Sequence, residues 1–330
     1  MTTQTNTYLK KKAAAAWAGL MIGDALGASA EFCYHEDIMA MYPDGLQDMV
    51  PGFCICKDRL PGVVTDDTQM AYCLHLALQD ANGWSREAAL KRYQEWLATD
   101  PPDIGEATER ALRGNPDFES QGNGALMRVL PIALWAAEHP DFDWQTAARE
   151  DAAITHPNPL CAEINVVFVQ ALLTAMQRNS TKEDILLSAM SHAEDPQLYA
   201  MLLDVRTPGA MYPDYDGEHI GWMMLALQGA FYQLMNAPTF RAALVDVVSA
   251  GGDTDTNAAI TGALLGAWKG TGCLERSWLA TVRAANPSHY TELLPTVKAL
   301  PPYPVALTDP KTGKRSARRL GGIPPVRDFL

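Results

Sequence analysis

No stretch of the 330-residue chain approaches the roughly 18 consecutive apolar residues of a membrane-spanning helix, so none is expected. Cysteine is sparse, with six in the whole chain, too few for a disulfide scaffold at this length. No pair has the spacing of a zinc knuckle or redox motif, since Cys54 and Cys56 are separated by a single residue. Free thiols in a reducing cytoplasm are the expectation. Cationic charge is scarce too: 26 Lys and Arg stand against 39 Asp and Glu, a net charge of −13. Phosphate-rich partners are held by clustered cations, so nucleic acid and anionic membrane surfaces are not expected partners. Lys10, Lys11 and Lys12 before Ala13 to Leu20 have the outline of a secretory signal. Gly23-Asp24 interrupts that apolar run, and no cleaved leader is expected.

Alternating period-two runs are also missing. What the chain has instead is helical periodicity between Gly/Pro-rich loops. Helices are expected over 12–30, 67–82, 85–98, 104–113, 125–138, 144–154, 159–178, 181–192, 196–204, 219–236, 239–249 and 255–269. With 48% apolar residues, this is ample material for one compact all-α domain over 1–300. A Pro-rich basic tail, expected to be irregular, follows over 301–330. From Lys311 onward there are six basic residues and one acidic, a net of +5, which leaves −18 for the rest. Two loops rich in breakers, 34–64 and 205–218, are expected to carry function.

Two segments rhyme. Thr65-Asp66-Asp67-Thr68 precedes the helix at 67–82, and Gly251-Gly252-Asp253-Thr254-Asp255-Thr256 precedes the helix at 255–269. Capping alone would explain one Asp or Thr at each start. Each segment carries two carboxylates, however, and neighbouring carboxylates repel unless a cation lies between them. Asp and Thr oxygens without His or Cys describe a hard-cation site, Mg²⁺ or Mn²⁺. Gly251-Gly252 would let the backbone approach something closely. Asp24, mid-helix among Leu20, Met21, Ile22 and Leu26, would be costly if buried alone, and reads as a supporting group. Gly122-Asn123-Gly124, ahead of a helix expected from Ala125, would offer backbone N–H groups to phosphate.

On these motifs the chain resembles the ADP-ribosylglycohydrolases. The match runs in order through Gly23-Asp24-Ala25-Leu26-Gly27 with Glu31, Thr65-Asp66-Asp67-Thr68, Asp103-Ile104-Gly105, Gly122 to Arg128, Thr155-His156-Pro157, and Gly251 to Thr256. The resemblance implies a compact orthogonal helical bundle with a binuclear metal centre. It implies two divalent cations, Mg²⁺ or Mn²⁺, on Thr65, Asp66, Asp67, Asp253, Asp255 and Thr256. Glu31, Asp67 and Asp103 take the catalytic roles, with Asp103 meeting an arginine guanidinium. Asn123, Gly124, Ala125, Met127, His156 and Tyr212 line the ADP-ribose cleft, and Tyr212 or Tyr215 would stack on adenine.

The implied reaction removes ADP-ribose from a modified protein side chain, foremost arginine, by hydrolysis of an N-glycosidic bond in the cytoplasm. The partners are then an ADP-ribosylated protein and the product ADP-ribose, with a cognate ADP-ribosyltransferase or toxin as a further candidate. An O-linked ADP-ribosylserine, a small ADP-ribosyl metabolite, a non-cleaving ADP-ribose-binding module and an immunity protein against an ADP-ribosylating toxin remain open alternatives.

Overall fold

Capping chemistry sets many of the helix starts. Asn158 and Asp195 accept backbone N–H groups one residue ahead of Pro159 and Pro196, whose fixed φ suits a first helical turn. Ser85 and Thr239 cap in the same way, and Thr181 with Asp184 forms a reciprocal capping box. The computed structural model describes residues 3–54, 59–206, 213–215, 217, 219–295, 306–308 and 315–317. The helices are α1 (Thr3–Gly27), α2 (His35–Met41), α3 (Asp66–Ala81), α4 (Arg86–Leu97), α5 (Glu106–Leu112), α6 (Leu130–Glu138), α7 (Trp144–Thr155), α8 (Pro159–Ala175), α9 (Lys182–Met190), α10 (Pro196–Asp204), α11 (Met223–Asn236), α12 (Phe240–Ser249), α13 (Thr254–Lys269), α14 (Arg276–Ala285) and α15 (Ser288–Thr291). The all-α architecture read from periodicity is the one observed.

The chain divides into two units, residues 1–295, which hold these helices, and 296–330. In the second unit, where irregular chain was expected, β1 (Ala306–Thr308) pairs antiparallel with β2 (Arg315–Ala317), Leu307 opposite Ser316.

α13 is the axis of the first unit. It is buried almost all round from Thr254 to Ala267, as a helix of Ala, Ile, Leu, Gly and Thr can be. α8, α11 and α12 pack against it, and α1 lies along it. That last contact is antiparallel and unusually close. A Cβ built on Gly19, Gly23 or Gly27 would fall 2.0–2.2 Å from the carbonyl oxygens of Gly262, Ala258 or Thr254. Gly262 and Gly266 meet Gly19 and Ala15 from the other side at 2.1 and 2.2 Å. Only hydrogen fits at this seam, so the two backbones touch. The end of α1 and the start of α13 consequently arrive together, which brings Glu31 beside Asp255.

Three departures from the expected elements matter. α2, α14 and α15 were not anticipated. α2 is one short amphipathic turn-pair with only Ile38 buried, too brief to stand out within a breaker-rich loop. The helix expected over 125–138 begins instead at Leu130, with Pro131 in its first turn. Residues Asn123–Ala125 form only a 3-10 turn. The phosphate-binding helix start expected there is absent.

Candidate active site

The two acidic starts converge, and the capping question resolves against the carboxylates. At α3, the Thr65 hydroxyl oxygen accepts the Asp67 N–H. Asp24, reaching across from α1, accepts the Thr65 N–H at 2.9 and 3.1 Å. It also accepts the Thr68 N–H at 3.1 Å and the Thr68 hydroxyl. The Thr65, Asp67 and Thr68 N–H groups are thus satisfied without the Asp66 carboxylate. Asp67 takes a hydrogen bond from the Thr65 hydroxyl on Oδ2, while its Oδ1 is buried with no hydrogen-bond partner. At α13, Asp253 is the N-cap residue by position, but its side chain makes no cap hydrogen bond. Its Oδ2 accepts the Asn123 amide at 2.7 Å instead. Asp255 accepts from the N–H of its neighbour Thr256 at 2.9 Å. The Thr256 and Thr65 hydroxyls both donate to Asp67 Oδ2, at 3.5 and 2.9 Å.

All these groups are buried. Burial, then the surrounding carboxylates, pushes Asp66, Asp67 and Asp255 well above the usual carboxylate range. Asp24 is raised to about 6 by burial, against the pull of its hydrogen bonds from Thr68 and Thr65. An all-oxygen donor set with an orphaned carboxylate oxygen fits a hard divalent cation and does not suit a soft one. Among the described residues, Glu31, Asp103 and Asp255 each offer a carboxylate oxygen, and these three oxygens lie within 4.8 Å of one another, a mostly buried triad able to hold a metal ion. Of the six expected ligands, only Asp255 belongs to that triad.

Arg59 reaches into it. Its guanidinium lies 2.6 Å from Asp103 Oδ2, 3.2 Å from Glu31 Oε2 and 3.7 Å from Asp255 Oδ2. Nothing local in the sequence marks Arg59. It is one cation in a long loop, and only the fold sets it among three acids from distant segments.

The expected cleft residues take several positions. Asn123 turns its amide to Asp253 and so supports the acidic cluster. Ala125 and Met127 are buried, with the Ala125 carbonyl accepting from Asn165. His156 is buried behind the glycines: a Cβ on Gly122 or Gly124 would come within 3.1 or 3.0 Å of its ring. Arg128, paired with Asp151 and lying over the Tyr93 ring, donates to the Thr155 hydroxyl at 2.7 Å. That hydroxyl lies 2.9 Å from His156 Nδ1. Burial, reinforced by the Arg128 charge, lowers His156 to about 3 and keeps it neutral.

Gly251 and Gly252 approach the chain's own backbone, not a ligand. Their φ values are +85° and +73°, and a Cβ would strike the Cys33 and Tyr215 carbonyls at 2.7 and 2.0 Å. Tyr215 is buried against Gly229, which removes it as a stacking platform for adenine. Tyr212 lies outside the described residues. No helix among the described residues is long and apolar enough to cross a membrane.

Residues 5–303 match the family model of the ADP-ribosylglycohydrolases. The chain belongs to the ADP-ribosylglycohydrolase family, a family of hydrolases. It is 27% identical over 289 residues to the ADP-ribosyl-[dinitrogen reductase] glycohydrolase of Rhodospirillum rubrum, covering 84% of this chain and 92% of the relative. It is likewise 27% identical over 289 residues to the ADP-ribosylarginine hydrolase Tri1 of Serratia proteamaculans, covering 81% and 74%. To the human ADP-ribosylhydrolase ARH3 it is 24% identical over 323 residues, covering 79% and 86%. A solved ADP-ribosylglycohydrolase-related protein complex superposes with a TM-score of 0.72 at 28% identity, covering 87% of this chain and 96% of that one.

Proposed function

We propose that the protein hydrolyses the N-glycosidic bond between ADP-ribose and an arginine side chain of a modified protein, reversing that modification. The observation that carries this reading is the guanidinium seated between Asp103 and Glu31. A planar, five-donor cation is what this pair of carboxylates receives best. A relative named as an ADP-ribosylarginine hydrolase supports it.

Thr65, Asp66 and Asp67 on one side, with Asp253, Asp255 and Thr256 on the other, would hold two divalent cations, Mg²⁺ or Mn²⁺. Bound there, the cations would fix the substrate ribose and acidify a bound water. Asp103 would grip the substrate guanidinium. As the C1″–N bond breaks, its electron pair returns to nitrogen and a neutral guanidine leaves. Glu31 would take the proton of the water that adds to C1″. The guanidine then takes up a proton, so water is the only other reactant. The neutral His156 would hold the Gly122–Gly124 turn in place. Asn123 would orient Asp253.

The test pairs arginine-linked with serine-linked ADP-ribosyl peptides and measures free ADP-ribose. Asp103→Ala is expected to slow release from arginine about 10- to 100-fold, the scale of a lost charge-assisted hydrogen bond, and to affect the serine linkage little. Equal losses on both linkages refute the guanidinium role.

A further inference from the structure

Arg59 is a guanidinium in a subsite that the proposed reaction needs for another guanidinium. Its side chain is 14% exposed, close to Asp103 at 22% and above Glu31 at 7%. Two of its nitrogens engage different carboxylates, Nη2 on Asp103 and Nη1 on Glu31, with Asp255 next in reach of Nη1. Its backbone is tethered as well, the Arg59 carbonyl accepting the Gly52 N–H at 3.1 Å. Leu60, the next residue, is largely exposed and Val63 closes a turn back onto it, so the side chain enters the cluster from the protein surface. A substrate arginine would approach the same carboxylates and meet a like charge already holding their oxygens. Asp255 is also an expected cation ligand, so the guanidinium competes for a metal-binding oxygen too.

We infer that Arg59 is the specificity-determining occupant of the leaving-group subsite, a guanidinium supplied by the chain itself that a substrate arginine must displace from Asp103 and Glu31. This rests on the arginine reading of the site. Occupation by a tethered cation offsets part of the negative charge of the acid cluster between turnovers. It also raises the threshold for entry: a neutral or singly hydrogen-bonding leaving group cannot exchange for it, whereas a second guanidinium can, charge for charge and fork for fork.

The experiment compares the full chain with Arg59→Ala and Arg59→Lys, all loaded with Mg²⁺. Calorimetric binding of methylguanidinium is expected to tighten about tenfold or more in Arg59→Ala, the scale of one charge-assisted hydrogen bond. Arg59→Lys is expected to fall between, because an ammonium cannot bridge two carboxylates as a fork does. Mn²⁺ affinity by equilibrium dialysis should rise in the same order. The KM for an arginine-linked peptide should fall in Arg59→Ala.

Unchanged methylguanidinium affinity in Arg59→Ala, or a raised KM, overturns the occupant role, and the arginine reading stands if the parent protein still cleaves that peptide. The converse is equally readable. If no protein cleaves the arginine-linked peptide while Arg59→Ala gains methylguanidinium affinity, the substrate reading fails and the occupancy stands.

Discussion

Asp24 on α1 accepts both the Thr65 and the Thr68 backbone N–H groups of α3. A helix start is thereby capped by a side chain 41 residues earlier in the sequence. The consequence is chemical: α3 needs neither Asp66 nor Asp67 for its first turn, and both remain available to a cation.

Asp24→Asn tests this directly. An amide has one acceptor oxygen where the carboxylate uses two, and its NH₂ would face backbone donors. Unfolding by denaturant should show a loss of about 1–3 kcal/mol, the cost of leaving a buried donor unsatisfied. Divalent-cation affinity should weaken with it, as Thr65 to Asp67 lose their anchor. Unaltered stability and cation binding would show that the cap is dispensable.

Gly23→Ala tests the seam of α1 and α13. The added methyl would lie 2.0 Å from the Ala258 carbonyl, a clash no rotamer relieves. The expected destabilisation is about 3 kcal/mol, the upper end for overpacking, since backbone must move. Gly272→Ala, where nothing lies within 4 Å, is the matched control and should be close to neutral. Thermal melts of the two variants side by side decide it.

Asp67→Asn should separate stability from cation binding. Removing a charge from a buried anion cluster should raise the melting temperature of protein stripped by chelator. The parent protein should gain about 2.7 kcal/mol from a divalent cation at 100 times its Kd. Asp67→Asn should lose that gain and its hydrolase activity together. A variant that still responds to Mg²⁺ and Mn²⁺ as the parent does would remove Asp67 from the ligand set.

His156 predicts an acid limit. It is held at about 3 in the folded protein, against 6.5 for an unperturbed imidazole. Between those values the unfolded chain binds the extra proton, so stability falls as pH drops from 6.5 toward 3. The stability it contributes is fully present above 6.5. His156→Gln should flatten the slope of unfolding free energy against pH across that window. A slope identical to the parent's would mean that other groups carry the acid sensitivity.

The sequence alone determined the helical class, most helix positions and the two acidic starts. Those are local properties: period, caps such as Thr181 with Asp184, and two carboxylates where capping needs one. α2 escaped because one buried residue, Ile38, leaves no periodicity to detect. The helix expected from Ala125 failed because Pro131 favours a first-turn position, and that preference outweighed the apolar pattern before it.

Only the tertiary structure decided what the acids do. Asp24 as a cap, Asn123 on Asp253, and Arg59 among Glu31, Asp103 and Asp255 each join residues 28 to 196 positions apart. Glu31 and Asp255 come side by side because glycines on α1 and α13 let two backbones touch. Seam and site alike depend on atoms that no local pattern relates.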